Sequence, residues 1–150
     1  MRDETEIESW SAQGPVTELS DEHCWQLLDA ESFGRLAIDH QGRPDLFPID
    51  FHVDARTIVF RTAEGNTKVR DLQANPYVAL EADERSATTA KSVVLRGRAE
   101  IVTDDDEIAR LDRVPLPPWI PSRPYTYVRI TPASVRGRSF VHHLRVDRGA

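Results

Sequence analysis

The sequence has one cysteine, few lysines and no long apolar run. Because Cys24 has no partner for an intrachain disulfide, we expect a reducing, cytoplasmic location. The longest apolar runs hold about four residues, whereas a helix that crosses a membrane needs about 20. A basic start followed by an apolar stretch is also missing, so we expect neither a signal peptide nor membrane insertion.

Basic residues are scarce at the start of the chain. Residues 1–31 contain nine acidic residues and one basic residue, whereas residues 32–150 contain 16 acidic and 18 basic residues, for a net charge of −6. Because general nucleic-acid binding needs a basic face, we expect no nucleic-acid partner.

Residues 1–17 show no apolar periodicity and are interpreted as a mobile acidic arm. Residues 18–143 then form one domain, and residues 144–150 form a tail.

Alternating apolar residues predict a mainly β domain of the α+β class. The clearest case is Phe47, Ile49, Phe51 and Val53, which share one face of a strand. About three short helices are expected: after the N-cap Ser20, over 67–75 and from 104. A small antiparallel barrel of six to eight strands would leave no open edge for the last strand. The predicted strands are 34–39, 45–53, 57–62, 77–83, 92–102, 125–131 and 135–142.

The segment 57–68 is a strand, a glycine-bearing loop and a helix start. The first amides of a helix lack internal partners and carry a positive dipole, which favours a phosphate. Arg61, Thr67 and Lys68 would add donors and charge. The spacing is not that of a nucleotide-binding GxxxxGK[ST] loop. In the competing interpretation, Asn66 merely caps the helix and Lys68 is solvated.

Pro48 interrupts a good strand pattern. Since proline lacks the N–H that a ladder needs, it indicates an edge strand or a bulge. It shares a face with Asp50 and His52, which is either the lining of a ligand site or an ordinary exposed face. The five histidines lack metal-ligand spacing, so we expect no metal site.

Several segments, taken in order, resemble one family: the pyridoxamine-phosphate-oxidase-like flavoproteins with an FMN-binding split β-barrel, in particular their actinobacterial branch. The resemblance covers roughly residues 19–141. The order and spacing of the matching segments are more specific to the family than any single motif. The segments are Gly34-Arg35-Leu36-Ala37, Pro48-Ile49-Asp50-Phe51, Ile58-Val59-Phe60-Arg61-Thr62, Thr67-Lys68, Val78-Ala79-Leu80-Glu81, Val94-Leu95-Arg96-Gly97-Arg98-Ala99, Pro118-Trp119 and Val135-Arg136-Gly137-Arg138.

The resemblance implies a homodimer with two FMN sites between the chains. Lys91 and Ser92 would approach the flavin from the other subunit, and Trp119 would either lie near the ring or pack under its proline-rich loop. Relatives often carry asparagine in place of Asp50 and tryptophan in place of Lys91. By the same resemblance, Pro48, Ile49, Asp50 and Phe51 would run along the isoalloxazine edge, and Arg61, Thr62, Thr67 and Lys68 would hold the phosphate.

The function that the resemblance implies is that of a flavin-dependent oxidoreductase acting on a small molecule of unknown identity. The cofactor would supply the hydride chemistry and the protein would supply position and field. No side chain stands out as an essential acid or base, so we name no catalytic residue. The alternatives are a deazaflavin-dependent reductase, a dimer that binds a flavin or another phosphorylated ligand without catalysis, and a dimer that holds no cofactor.

Overall fold

The computed structural model describes residues 7–11, 14–116 and 124–141. Within these ranges the chain forms nine strands and three helices, and none of the helices has the length and apolar character needed to span a membrane. The strands are β1 (Ile7–Ser11), β2 (Gly14–Leu19), β3 (Phe33–His40), β4 (Arg43–Asp50), β5 (His52–Asp54), β6 (Thr57–Ala63), β7 (Tyr77–Arg85), β8 (Thr89–Ile101) and β9 (Tyr125–Val141), and the helices are α1 (Asp21–Glu31), α2 (Thr67–Ala74) and α3 (Asp105–Leu111).

The sheet is antiparallel and curls into a split β-barrel. Strands β4, β3, β7, β8, β9 and β6 are hydrogen-bonded in that order. The chain bends at Phe51, whose N–H donates to the Ser32 carbonyl at 2.9 Å, and β5 then pairs with β6. The segment 43–54 therefore pairs with β3 along its first part and with β6 along its last part, which brings the two ends of the sheet together.

The split lies between β4 and β6. β5 pairs with β6 only as far as Val59, so residues 60–63 of β6 have their ladder partners on β9 alone within the described ranges. The neighbouring strand β4 has turned away to pair with β3. The backbone topology thus opens a gap along one side of the barrel.

A helix cap that the sequence predicts and a tight hairpin turn are both present. Ser20 caps α1 by accepting from the His23 N–H at 3.2 Å. The tight connection between β5 and β6 places Ala55 and Arg56 at positive φ, the geometry of a two-residue hairpin turn that follows the twist of its strands. Cys24 lies in the core with 1% of its surface exposed, and burial raises the pKa of its thiol.

The elements differ from the sequence-based prediction in three places. The predicted strands 125–131 and 135–142 form the single strand β9, and the predicted strand 45–53 is divided at Phe51. The segment 1–17, expected to lack regular structure, contains β1 and the start of β2, which pairs with β9. Val16 on β2 is 2% exposed, so the packed domain begins earlier than residue 18.

Candidate functional site

A cleft of about 200 Å³ occupies the split in the barrel. β4 contributes Pro48, Ile49 and Asp50 to its wall, β6 contributes residues 60–63, and α2 lies across one end with Asn66, Lys68 and Leu72. Phe33, Phe47 and Leu116 complete the lining. The cleft exists because β4 and β6 diverge here, so the fold itself positions the side chains that face it.

The α2 end of the cleft is cationic. Gly65 takes a φ of +81°, and Asn66 caps the helix by accepting from the Lys68 N–H at 2.9 Å. The cap predicted as the alternative to a phosphate site is therefore present. The Val69 N–H also donates to the Asn66 carbonyl, at 3.1 Å, so the cap residue accepts from two first-turn amides. The positive end of the helix dipole lies at this first turn, beside Lys68.

Arg61 is held from two directions. Its guanidinium carbon lies 4.3 Å from the ring centroid of Tyr125, and its Nη2 donates to the Leu116 carbonyl at 3.2 Å. Its ladder partner Tyr127 donates from its hydroxyl to Asp112 at 2.6 Å; burial and this hydrogen bond raise the pKa of Tyr127. These contacts fix the guanidinium while leaving its charge without a carboxylate partner in the described residues.

Lys68 lies at the same end and is half-buried rather than fully solvated. Its Nζ is 4.0 Å from the ring centroid of Phe47. No carboxylate in the described part of the chain forms an ion pair with it. Two cations that retain their charge next to a helix N-terminus make this end suitable for a phosphate or another anion.

Asp50 on β4 also lines the cleft. The ladder places Asp50 opposite Phe33, and the side chain is half-buried between apolar neighbours. Burial raises the pKa of this carboxyl. The cleft is therefore lined by two cations, Arg61 and Lys68, and by one carboxyl group.

The structure brings together six of the eleven candidate site residues: Pro48, Ile49, Asp50, Arg61, Thr62 and Lys68 line the cleft. Phe51 is 1% exposed and packs in the core, and Thr67 opens α2 on its solvent side. Lys91 and Ser92 lie on β8 away from the cleft, where the Ser92 hydroxyl donates to Glu81 at 2.8 Å. Trp119 lies outside the described residues.

The sequence-based reasoning missed the residues that come to the cleft from distant segments. Tyr125 and Leu116 hold Arg61 across more than 50 positions of sequence, and no local spacing indicates such contacts. Phe33 lies opposite Asp50 only because the β3–β4 ladder pairs the two residues. No cluster of three or more potential metal ligands occurs within the described ranges.

The fold and the cleft together define a small split-barrel protein whose cleft is lined by the two cations Arg61 and Lys68. A sequence profile of the pyridoxamine 5'-phosphate oxidase family matches residues 20–142. Since this match covers most of the chain, the protein belongs to that family, in agreement with the resemblance noted from its motifs.

Two solved structures and one curated relative illustrate the likeness. A candidate pyridoxamine 5'-phosphate oxidase from Corynebacterium glutamicum is 42% identical, with a TM-score of 0.77 over 85% of this chain and 99% of that one. The FAD binding protein from Mycobacterium smegmatis is 36% identical, with a TM-score of 0.74 over 85% of this chain and 100% of that one. An uncharacterised protein of Mycobacterium tuberculosis is 32% identical over 136 residues, 87% of this chain and 89% of the relative.

Proposed function

We propose that the cleft binds a flavin by its phosphate and that the protein is an FMN-dependent oxidoreductase. The observation that carries the proposal is the pair Arg61 and Lys68, which line the same cleft as the α2 cap residue Asn66 and have no carboxylate partner in the described residues. A ribityl phosphate would satisfy both charges. The bound flavin would supply hydride chemistry, and the cleft would supply orientation and electrostatic field.

We further propose that the working form is a cytoplasmic homodimer. The cleft of about 200 Å³ is smaller than the roughly 300–1,000 Å³ typical of ligand sites, so a second chain is expected to complete it. Family resemblance assigns Lys91 and Ser92 to that role, and both lie away from the cleft of their own chain. Cys24, the single cysteine, is buried and offers no disulfide, which supports a reducing compartment.

A titration followed by visible absorbance tests flavin binding. FMN, FAD and riboflavin are added separately to the purified protein, and FMN is expected to bind with a perturbed flavin spectrum and at least tenfold more tightly than riboflavin, as charge-assisted contacts to phosphate require. FAD is included because the Mycobacterium smegmatis relative is named for that cofactor. If FAD binds more tightly than FMN, FAD is the cofactor rather than FMN. If none of the three flavins binds, the proposal is refuted.

A second assay distinguishes a flavin-dependent enzyme from a protein that only binds flavin. The FMN-loaded protein is mixed with a reduced nicotinamide and an acceptor dye, with free FMN at the same concentration as the control. Turnover above the free-flavin rate is expected for an oxidoreductase. A rate equal to that of free FMN, with binding intact, would favour a flavin-binding protein without this activity.

A further inference from the structure

Asp50 is the only acidic residue among the described residues that line the cleft. Its carboxylate has neither a hydrogen bond nor an ion pair in the described part of the chain, and its nearest lining neighbours, Phe33, Pro48 and Ile49, are apolar. Partial burial in such surroundings disfavours the charged form, in line with the raised pKa of this group. The fold therefore tolerates an uncompensated acid at a position that faces the ligand space.

Other half-buried acids on this sheet are compensated. Glu81 accepts from Arg35 at 3.0 Å and from Ser92 at 2.8 Å. Asp54 pairs with Arg110 at 2.6 Å and with Arg129 at 2.9 Å. Asp50 has no such partner in the described residues, and neither Arg61 nor Lys68, the cations that line the same cleft, forms an ion pair with it. Its charge is thus available to act on whatever occupies the cleft.

We propose that Asp50 makes the cleft bind oxidised flavin in preference to reduced flavin; this inference rests on the proposed flavin function. Oxidised flavin is neutral at its ring system, and it becomes anionic when it takes up two electrons and one proton from a reductant. Ionised Asp50 then repels the reduced form and leaves the oxidised form nearly unaffected. Arg61 and Lys68 would face the phosphate, whose charge is similar in both forms.

The test compares Asp50→Asn with wild type, because this substitution removes the charge at nearly constant shape. Asp45→Asn is the matched control: Asp45 lies on the same strand, exposed and outside the cleft, and the substitution changes the net charge equally. At about pH 8 a carboxyl group of ordinary or moderately raised pKa is ionised. Affinity for oxidised FMN is measured by fluorescence, and the midpoint potential of bound FMN is measured by reduction with dithionite beside a reference dye.

For Asp50→Asn we expect affinity for oxidised FMN within about twofold of wild type. Affinity for reduced FMN should rise about tenfold, which for a two-electron couple corresponds to a potential higher by about 30 mV. Asp45→Asn should leave both quantities unchanged. A merely structural role for Asp50 would instead change the two affinities by the same factor and leave the potential where it is.

Equal potentials in wild type and Asp50→Asn, with FMN bound by both, would overturn this inference and leave the proposed function intact. A rise in potential that Asp45→Asn reproduces would also overturn it, since net charge rather than position would then be the cause. Failure of the wild-type protein to bind FMN or FAD would overturn the proposed function and this inference together.

Discussion

The guanidinium of Arg61 lies 4.3 Å from the ring centroid of Tyr125, and the two residues are diagonal neighbours on the β6–β9 ladder. An aromatic face attracts a cation without neutralising it. The ring therefore holds the guanidinium in place and leaves its charge available to an anion in the cleft. This arrangement assigns Tyr125 as a positioning residue for Arg61.

Replacing the ring should weaken phosphate recognition selectively. A cation–π contact at a partly exposed site is worth about 0.5–1 kcal/mol, so Tyr125→Leu should lower the FMN-to-riboflavin affinity ratio about threefold. Tyr125→Phe, which keeps the ring, should restore the ratio. Titration of both ligands against each variant measures this effect, and an unchanged ratio in Tyr125→Leu would refute the positioning role.

Gly34 is required by a close approach between strands. A Cβ at this position would lie 2.3 Å from the Glu81 carbonyl oxygen on β7, so Gly34→Ala should push β3 and β7 apart. We expect a loss of about 2–3 kcal/mol in the free energy of unfolding, or about 5–10 °C in Tm.

Gly42→Ala is the control for that substitution. Gly42 takes a φ of +82°, and an added Cβ meets nothing within 4 Å. The conformational penalty alone is about 1 kcal/mol. Thermal unfolding of both variants decides the point, and a Gly34→Ala variant no less stable than Gly42→Ala would contradict the packing argument.

His40 and Asp71 link the end of β3 to α2, with 2.8 Å between the His40 Nδ1 and a carboxylate oxygen. The hydrogen bond and the charge of Asp71 raise the pKa of His40 above its ordinary value of about 6.5. A raised pKa in the folded state means that the stabilisation is complete below the unfolded-state pKa and is lost as pH rises through the folded-state pKa.

His40→Gln should therefore lower Tm most at about pH 5.5, below the unfolded-state pKa, and the effect should shrink as the pH rises through the raised folded-state pKa of the imidazole. The same substitution made in an Asp71→Asn background should show little pH dependence. Thermal unfolding of the four proteins across this range checks the link. A Tm difference that is constant with pH would show that the imidazole charge has no part in it.

A dimer should be present in solution. Tyr77 and Leu46 are 68% and 64% exposed, which leaves large apolar side chains uncovered in a single chain. Light scattering at micromolar concentration is expected to give about 34 kDa, twice the 17.0 kDa of one chain. A mass of one chain, with FMN bound, would show that a single protomer completes its own site.

Local signals in the sequence predicted much of this fold. Pro48 indicated an edge strand, and β4 ends the main strand path of the described sheet. The bend at Phe51 was not predictable, because Ile49, Phe51 and Val53 keep the same alternation while the ladder partner changes from β3 to β6. An alternating pattern indicates which face of a strand is buried, but it does not indicate which other strand forms the hydrogen-bonded ladder with it.

Some residues of the candidate site could likewise be predicted from the sequence, and others could not. Arg61 and Lys68 could be predicted because a strand, a glycine-bearing loop and a helix start are consecutive in sequence. Tyr125 reaches Arg61, and Phe33 reaches the cleft, only through ladders between distant segments. The sequence did not predict β2, because Val16 is a single buried apolar residue in a short strand and gives no alternating pattern. The strand forms because it pairs with β9, which is distant in sequence.

The most direct test of the account is phosphate discrimination by Arg61 and Lys68. Arg61→Ala and Lys68→Ala should each weaken FMN binding about tenfold to a hundredfold, the value of one charge-assisted hydrogen bond of about 1.5–3 kcal/mol, and should leave riboflavin binding nearly unchanged. Arg70→Ala, an exposed cation on the same helix and outside the cleft, should leave both affinities unchanged. Equal losses of FMN and riboflavin affinity in Arg61→Ala and Lys68→Ala would contradict the phosphate site on which the account rests.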